Sequence, residues 1–108
     1  MTVTNGFKHV GLITKRADQT FEEFVDYWTK VHSELAIHVP GLRKYTVNPI
    51  DRRLYPDSPI DGFSELWFDS LAAAEAAFES DVAKKTFADV PNFAQNVAVT
   101  YITEIHKM

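Results

Sequence analysis

The feature that most restricts what this chain can fold into is a set of strands with more apolar surface than its helices can cover. The segment Gly62 to Asp69 sends Leu66 and Phe68 to one face and Phe63 and Trp67 to the other. Val97 to His106 does the same, with Val97, Val99, Tyr101 and Ile105 against Ala98 and Ile102. Phe7 to Lys15 carries Val10, Leu12 and Ile13 on both parities. A half-exposed antiparallel sheet alternates apolar and polar residues, and these strands do not. If helices cover one face, Phe63 and Trp67 stand in water on the other, and exposed patches of that kind mark interfaces. The pattern predicts a homodimer in which two sheets pack face to face into a shared barrel. A monomer with surface aromatics is the competing possibility.

The remaining elements follow from caps and breakers. Thr20 opens a helix, and Glu23 three residues later completes a capping box. Phe21, Phe24, Val25, Trp28, Val31, His32 and Leu35 recur at helical spacing on one face, with Glu22, Glu23, Asp26 and Lys30 largely on the other. Pro40–Gly41 ends that helix, and Leu42 to Asn48 forms the next strand. Ser70 caps an alanine-rich helix, Leu71 to Glu79, and Asp81 to Val90 forms a short helix stopped by Pro91. The order β-α-β-β-α-β is the split βαβ, or ferredoxin-like, arrangement. It predicts an α+β fold: one four-stranded antiparallel sheet with its helices on a single face. Residues 1–108 show no repeat, linker or low-complexity tract and are expected to form one domain. The long connection from Asp51 to Asp61 is expected to serve as a lid over a ligand site.

Composition removes several function classes. At 45% hydrophobic and 13% aromatic residues, the chain can build a core without staples. It has no cysteine, which excludes disulfides, thiolate metal sites and a cysteine nucleophile, and fits a cytoplasmic setting. The net charge is −4, and the basic pairs Arg43–Lys44, Arg52–Arg53 and Lys84–Lys85 are separated, so no nucleic-acid partner is expected. Met1 to Phe7 lacks the apolar stretch of a signal peptide, and no run approaches the ~20 apolar residues of a membrane span. The four glycines form neither a phosphate loop nor a dinucleotide fingerprint, so no nucleotide cofactor is expected. His32 and His38 are six apart rather than four, and no metal site is expected. His9 and His106 are expected at the surface or a sheet edge.

His32 is the most informative polar residue. It lies four after Trp28, on the face that meets the sheet, where apolar neighbours shift an imidazole pKa and keep water out. It is either an acid–base group or a core histidine bonded to a carbonyl. Tyr45, just past the Pro40–Gly41 turn, could offer a phenol to a carbonyl or enolate oxygen, or be an amphipathic core residue. Arg43 shares its parity and could hold a carboxylate, or make a surface ion pair. Glu65, flanking Trp67 on the expected dimer face, needs a partner from either subunit and is read as structural. Space for a small molecule is expected between the sheet and its own helices.

The run Phe24-Val-Asp-Tyr-Trp28, then His32, then Pro40-Gly-Leu-Arg-Lys-Tyr45, resembles the EthD family of dimeric α+β barrels. Gly62-Phe-Ser-Glu-Leu-Trp-Phe-Asp69 and the segment Ser80-Asp81…Phe87…Asn92-Phe93 extend the resemblance over nearly the whole chain. The family includes an accessory protein of ether degradation, cofactor-free methylmuconolactone methylisomerases, and fungal polyketide decarboxylases and cyclases. In methylisomerase-like members a histidine near the end of the first helix and the tyrosine after Pro-Gly line the active site, matching His32 and Tyr45. Those members also use a strand cysteine where this chain has Leu66, a departure that argues against the same isomerisation. The resemblance implies a cofactor-independent homodimeric enzyme acting on a small carbonyl, lactone or aromatic compound, as isomerase, decarboxylase or cyclase. His32 and Tyr45 would be catalytic, with Trp28, Leu35, His38, Arg43, Leu66, Phe68 and Phe87 around the substrate. The alternatives are a non-catalytic accessory protein that binds a metabolite, and a monooxygenase of the wider barrel group.

Overall fold

Strand β1 (Asn5–Lys15) is paired on both sides and so forms the middle of the sheet. It runs antiparallel to β3 (Gly62–Phe68), with Phe7 opposite Phe68 and Ile13 opposite Gly62. On its other side it pairs with β4 (Ala94–Ile105), with His9 opposite Tyr101 and Ile13 opposite Val97. Strand β2 (Lys44–Pro49) adds to β3, giving the order β2-β3-β1-β4. This is the four-stranded antiparallel, ferredoxin-like α+β sheet that the element order predicts. The computed structural model describes residues 5–108, so the first four residues of the segment read as lacking a signal peptide lie outside the described residues.

The capping box forms as expected. The Thr20 side chain accepts from the Glu23 backbone N–H, and the Glu23 carboxylate accepts from that of Thr20, opening α1 (Phe21–Tyr27). The helix is not regular beyond that point. It widens into a π-helical turn over Trp28–His32 before resuming as α2 (Ser33–Ala36). Gly41 then reverses the chain with a φ of 82°, a left-handed conformation open to glycine. Helices α3 (Leu71–Phe78) and α4 (Asp81–Asp89) are each capped by a serine, Ser70 and Ser80. A single 3-10 turn, Val90–Asn92, leads into β4, which starts three residues before the expected Val97 because Ala94 already packs in the core.

The helical face of the sheet carries two packed clusters. One gathers Val39, Leu66, Phe68, Ala74, Ala77 and Ala83, and the other Ile13, Phe24, Trp28, Phe93 and Ala94. The opposite face is less apolar than the strand pattern suggests. Phe63 and Trp67 are there and half-buried, but the middle is polar. Lys8 Nζ donates to Glu65 at 2.7 Å and to Glu104 at 3.0 Å, and Thr46 and Asn48 also donate to Glu65. The partner that Glu65 requires therefore comes from its own chain.

The connection from Asp51 to Asp61 is not a lid over the space between sheet and helices. Arg52 gathers it into a self-contained unit by donating to the carbonyls of Tyr55, Pro56, Ser58 and Ile60 and to the Asp61 carboxylate. Asp61 in turn accepts from the Lys15 N–H at 2.8 Å, fixing the loop to the end of β1.

Candidate active site

The π-helical turn is what sets His32. The Ser33 backbone N–H and hydroxyl both donate to the Trp28 carbonyl five residues back, the hydroxyl at 2.7 Å. Such widened turns are rare and concentrate at functional sites. The buried His32 ring packs 4.6 Å from Phe93 between ring centres, and its Nδ1 lies 2.9 Å from Asp89 Oδ2 at the end of α4. The other Asp89 oxygen accepts from the Tyr27 hydroxyl at 2.6 Å and from Asn92 at 3.0 Å. A carboxylate at Nδ1 places the N–H there and leaves the Nε2 lone pair free.

Burial holds the imidazole below its ordinary pKa, partly opposed by Asp89, so His32 is a neutral base at physiological pH. Burial also acts to raise the Asp89 carboxyl, but the bonds from Tyr27, Asn92 and His32 outweigh it and keep the group ionised. An ionised carboxylate behind a neutral imidazole stabilises the cation that forms when the imidazole takes a proton.

The sheet supplies the facing wall. Tyr45, Leu66 and His9 are neighbours across β2, β3 and β1 in one rung. Burial pushes the Tyr45 phenol upward, and its oxygen lies 3.3 Å from Ser33 Oγ. His9 is 6% exposed, its Nδ1 has no hydrogen-bond partner, and burial draws its pKa down. The next rung pairs Gly11 with Ser64, and a Cβ on Gly11 would come within 3.0 Å of Ser64 Oγ and 3.2 Å of Val97 Cγ1. With small residues below and Trp28, His32, Thr86, Phe87 and Phe93 around it, a cavity of about 220 Å³ remains between the two core clusters.

The structure thus brings together Trp28, His32, Tyr45, Leu66 and Phe87 among the residues expected at the site. Four others lie elsewhere. The π-turn shifts the inward face from Leu35 to Ala36. His38 falls past the end of α2 and is exposed. Arg43 shares Tyr45's parity but precedes β2, beyond helical cover, and binds Asp69 at 2.8 Å on the surface. Phe68 points to the helical face but is packed into the Val39 and Leu66 cluster. Conversely, His9 is not at a surface or edge: it lies on the central strand and faces the cavity. Its parity with Phe7 and Ile13 was the available signal. Asp89 carried none, being 57 residues from its histidine. Among the described residues no group of three or more His, Cys, Asp or Glu could hold a metal ion, and no helix is long and apolar enough to cross a membrane.

Solved structures share this architecture. An ethyl tert-butyl ether degradation (EthD) family protein from Bacillus halodurans superposes with a TM-score of 0.78 at 21% identity, covering 95% of this chain and 99% of that one. A hydroxynitrile lyase from Passiflora edulis gives a TM-score of 0.74 at 13% identity, covering 95% of each chain. A dimeric ferredoxin-like protein from Thermobifida fusca gives 0.69 at 15% identity, covering 91% of this chain and 90% of that one. No curated protein matches the chain in sequence. The EthD domain model matches residues 16–96, three quarters of the length and the span that holds the π-turn, Tyr45, Asp89 and Phe93, so the chain belongs to the EthD domain family.

Proposed function

We propose that the protein is a cofactor-independent enzyme that moves a proton beside the carbonyl of a small lactone, ketone or aromatic compound. The observation that carries this is the His32–Asp89 pair: His32 lines the cavity, and Asp89 lies behind it, 2.9 Å from its Nδ1. His32 Nε2 takes a proton from the carbon next to the carbonyl, and Asp89 stabilises the imidazolium. The oxygen that gains the electron pair accepts from the Tyr45 hydroxyl. Return of the proton to a different atom gives isomerisation, and loss of a leaving group gives elimination or cyclisation. The Passiflora edulis neighbour is an enzyme by name, which supports the reading only at the level of fold.

The working unit in this proposal is a cytoplasmic homodimer of single-domain chains, joined through the sheet face that bears Phe63 and Trp67. Neighbours from Thermobifida fusca and Bacteroides fragilis are described as dimeric, and Leu12 and Ile102 on that face are more than a third exposed in the single chain. Sedimentation equilibrium checks the mass.

Proton–deuterium exchange at the carbon beside the carbonyl, followed by NMR in D2O across a panel of lactones and cyclic ketones, tests the chemistry without knowledge of the product. His32→Ala is expected to lower the exchange rate about 10²–10⁴-fold while the fold is retained. Asp89→Asn is expected to lower it as well, because it removes the charge facing the imidazolium. Undiminished exchange in His32→Ala refutes the assignment. Ligand binding with no exchange in the native protein identifies a binding protein instead.

A further inference from the structure

Among the described residues, two polar atoms of cavity-lining side chains are fully buried without a well-formed hydrogen bond: the Trp28 indole N–H, which lies beside the Tyr45 phenol, and Nδ1 of His9. Neither ring is free to turn toward another group. A Cβ on Gly62 would meet Trp28 Cζ3 at 2.6 Å and Cη2 at 2.9 Å, so the six-membered ring is wedged over the bare glycine and directs the opposite edge of the indole elsewhere. His9 is held edge-on between Phe78, 5.1 Å away, and Tyr101, 5.5 Å away, between ring centres. A buried donor without an acceptor is unfavourable, and a site that keeps one is arranged for an acceptor supplied from outside.

The same wall has no fixed charge. Among the described residues that line the cavity there is no Lys, Arg, Asp or Glu. The ionised group in contact with that lining is Asp89, behind His32, and it is negative. Arg43 is engaged with Asp69 outside, Lys8 with Glu65 and Glu104 on the other face of the sheet, and Lys15 with the carbonyls of Arg16 and Gln19. A carboxylate entering the cavity would lose its water, gain no counter-ion and face Asp89. The volume of about 220 Å³ compares with the ~150 Å³ that admits benzene, so it suits one substituted ring.

We infer that the cavity selects an uncharged single-ring carbonyl compound, whose oxygen accepts from the Trp28 N–H while a second polar group meets His9, and that it rejects the corresponding carboxylates. This rests on the proposed function for its choice of cavity and narrows the reaction to proton movement on a neutral substrate, away from decarboxylation of an acid.

Three probes of one shape separate the terms: 4-methylbenzaldehyde, toluene and 4-methylbenzoate, titrated into ¹⁵N-labelled full-length protein at pH 8. The aldehyde is expected to bind at least tenfold more tightly than the benzoate and several-fold more tightly than toluene. The Trp28 indole N–H resonance should move on aldehyde addition. That of Trp67, which donates to Glu104 at 3.2 Å on the opposite face, should stay still and serves as an internal control. In Trp28→Phe the advantage of aldehyde over toluene should fall to about twofold or less. Should that variant not fold, the native indole shift reads the same contact. Benzoate binding as tight as the aldehyde, a motionless Trp28 resonance, or binding of none of the three overturns the inference. Tight benzoate binding with His32-dependent exchange intact would sink the substrate class and spare the base. Aldehyde binding with no exchange on any lactone or ketone of the panel would do the reverse.

Discussion

The two faces of one sheet treat polar groups in opposite ways. On the outer face each charge is matched: Lys8 bridges Glu65 and Glu104, Trp67 donates to Glu104, and Lys8 and Lys44 lie 4.9 and 4.6 Å from the Trp67 ring centre. Hydrogen bonds from His106, Lys8 and Trp67 hold the Glu104 carboxyl at a pKa of about 2. On the inner face, among the described residues, the Trp28 N–H and Nδ1 of His9 make no well-formed hydrogen bond, and both histidines are pushed toward their neutral forms. Residues that alternate along the same strands, Lys8 with His9 and Glu65 with Leu66, thus belong to different physical regimes. A satisfied polar network stabilises a fold, whereas unsatisfied buried groups persist where something else is meant to bind.

That contrast can be broken by substitution. Lys8→Ala removes the one cation shared by Glu65 and Glu104, leaving Glu65 with Thr46 and Asn48 and Glu104 with Trp67 and His106, and should give the largest fall in the urea midpoint. His9→Leu on the neighbouring position removes a group with nothing to lose and should cost under about 1.5 kcal/mol at pH 8. If His9→Leu were as damaging as Lys8→Ala, the inner face would be structural after all.

Acid titration sharpens the same distinction. Both histidines have folded-state pKa values below the ordinary 6.5, so the unfolded chain protonates first and inner-face stability falls as pH drops below about 6.5. Glu104 titrates near 2 when folded against 4.5 when unfolded, so its contribution persists to lower pH and is lost as pH falls from 4.5 toward 2. Urea midpoints against pH should show two separate declines, with His9→Leu flattening the upper one and Glu104→Gln the lower. A single decline that neither variant alters would contradict the assignment. The smallest effect belongs to Arg43→Ala: both members of its ion pair are about two-thirds exposed and outside the cavity. Its exchange rate and stability should match the native protein, and a loss of activity would return Arg43 to the site.

Most of the fold was legible because its signals are local. Thr20 and Glu23 announce a helix start, Pro40–Gly41 a reversal, and the strand segments pair in the order that their sequence implies. The site was half legible. Trp28 and His32 share a helical face, and Tyr45 and Leu66 lie in register on adjacent strands, so periodicity reaches them. It does not reach Asp89, whose role depends on α4 crossing the first helix, nor the π-turn, which a hydrophobic repeat does not distinguish from an α-turn. Leu35 is displaced by that turn, and Arg43 by the edge of the helical cover. In both cases spacing was correct but the three-dimensional frame was not available from it.

The hollow above Gly11 and Ser64 has a consequence for evolvability. Leaving a hollow of about 220 Å³ unfilled forgoes packing contacts and therefore stability, of which a domain of this size has little to spare. Gly11 itself is closed to a methyl, which would meet Ser64 Oγ at 3.0 Å and Val97 Cγ1 at 3.2 Å, but added methyl groups on the other small lining residues would narrow the gap between the two core clusters. A lineage selected for robustness alone would be expected to take them, so the hollow is a trait whose upkeep depends on continued use.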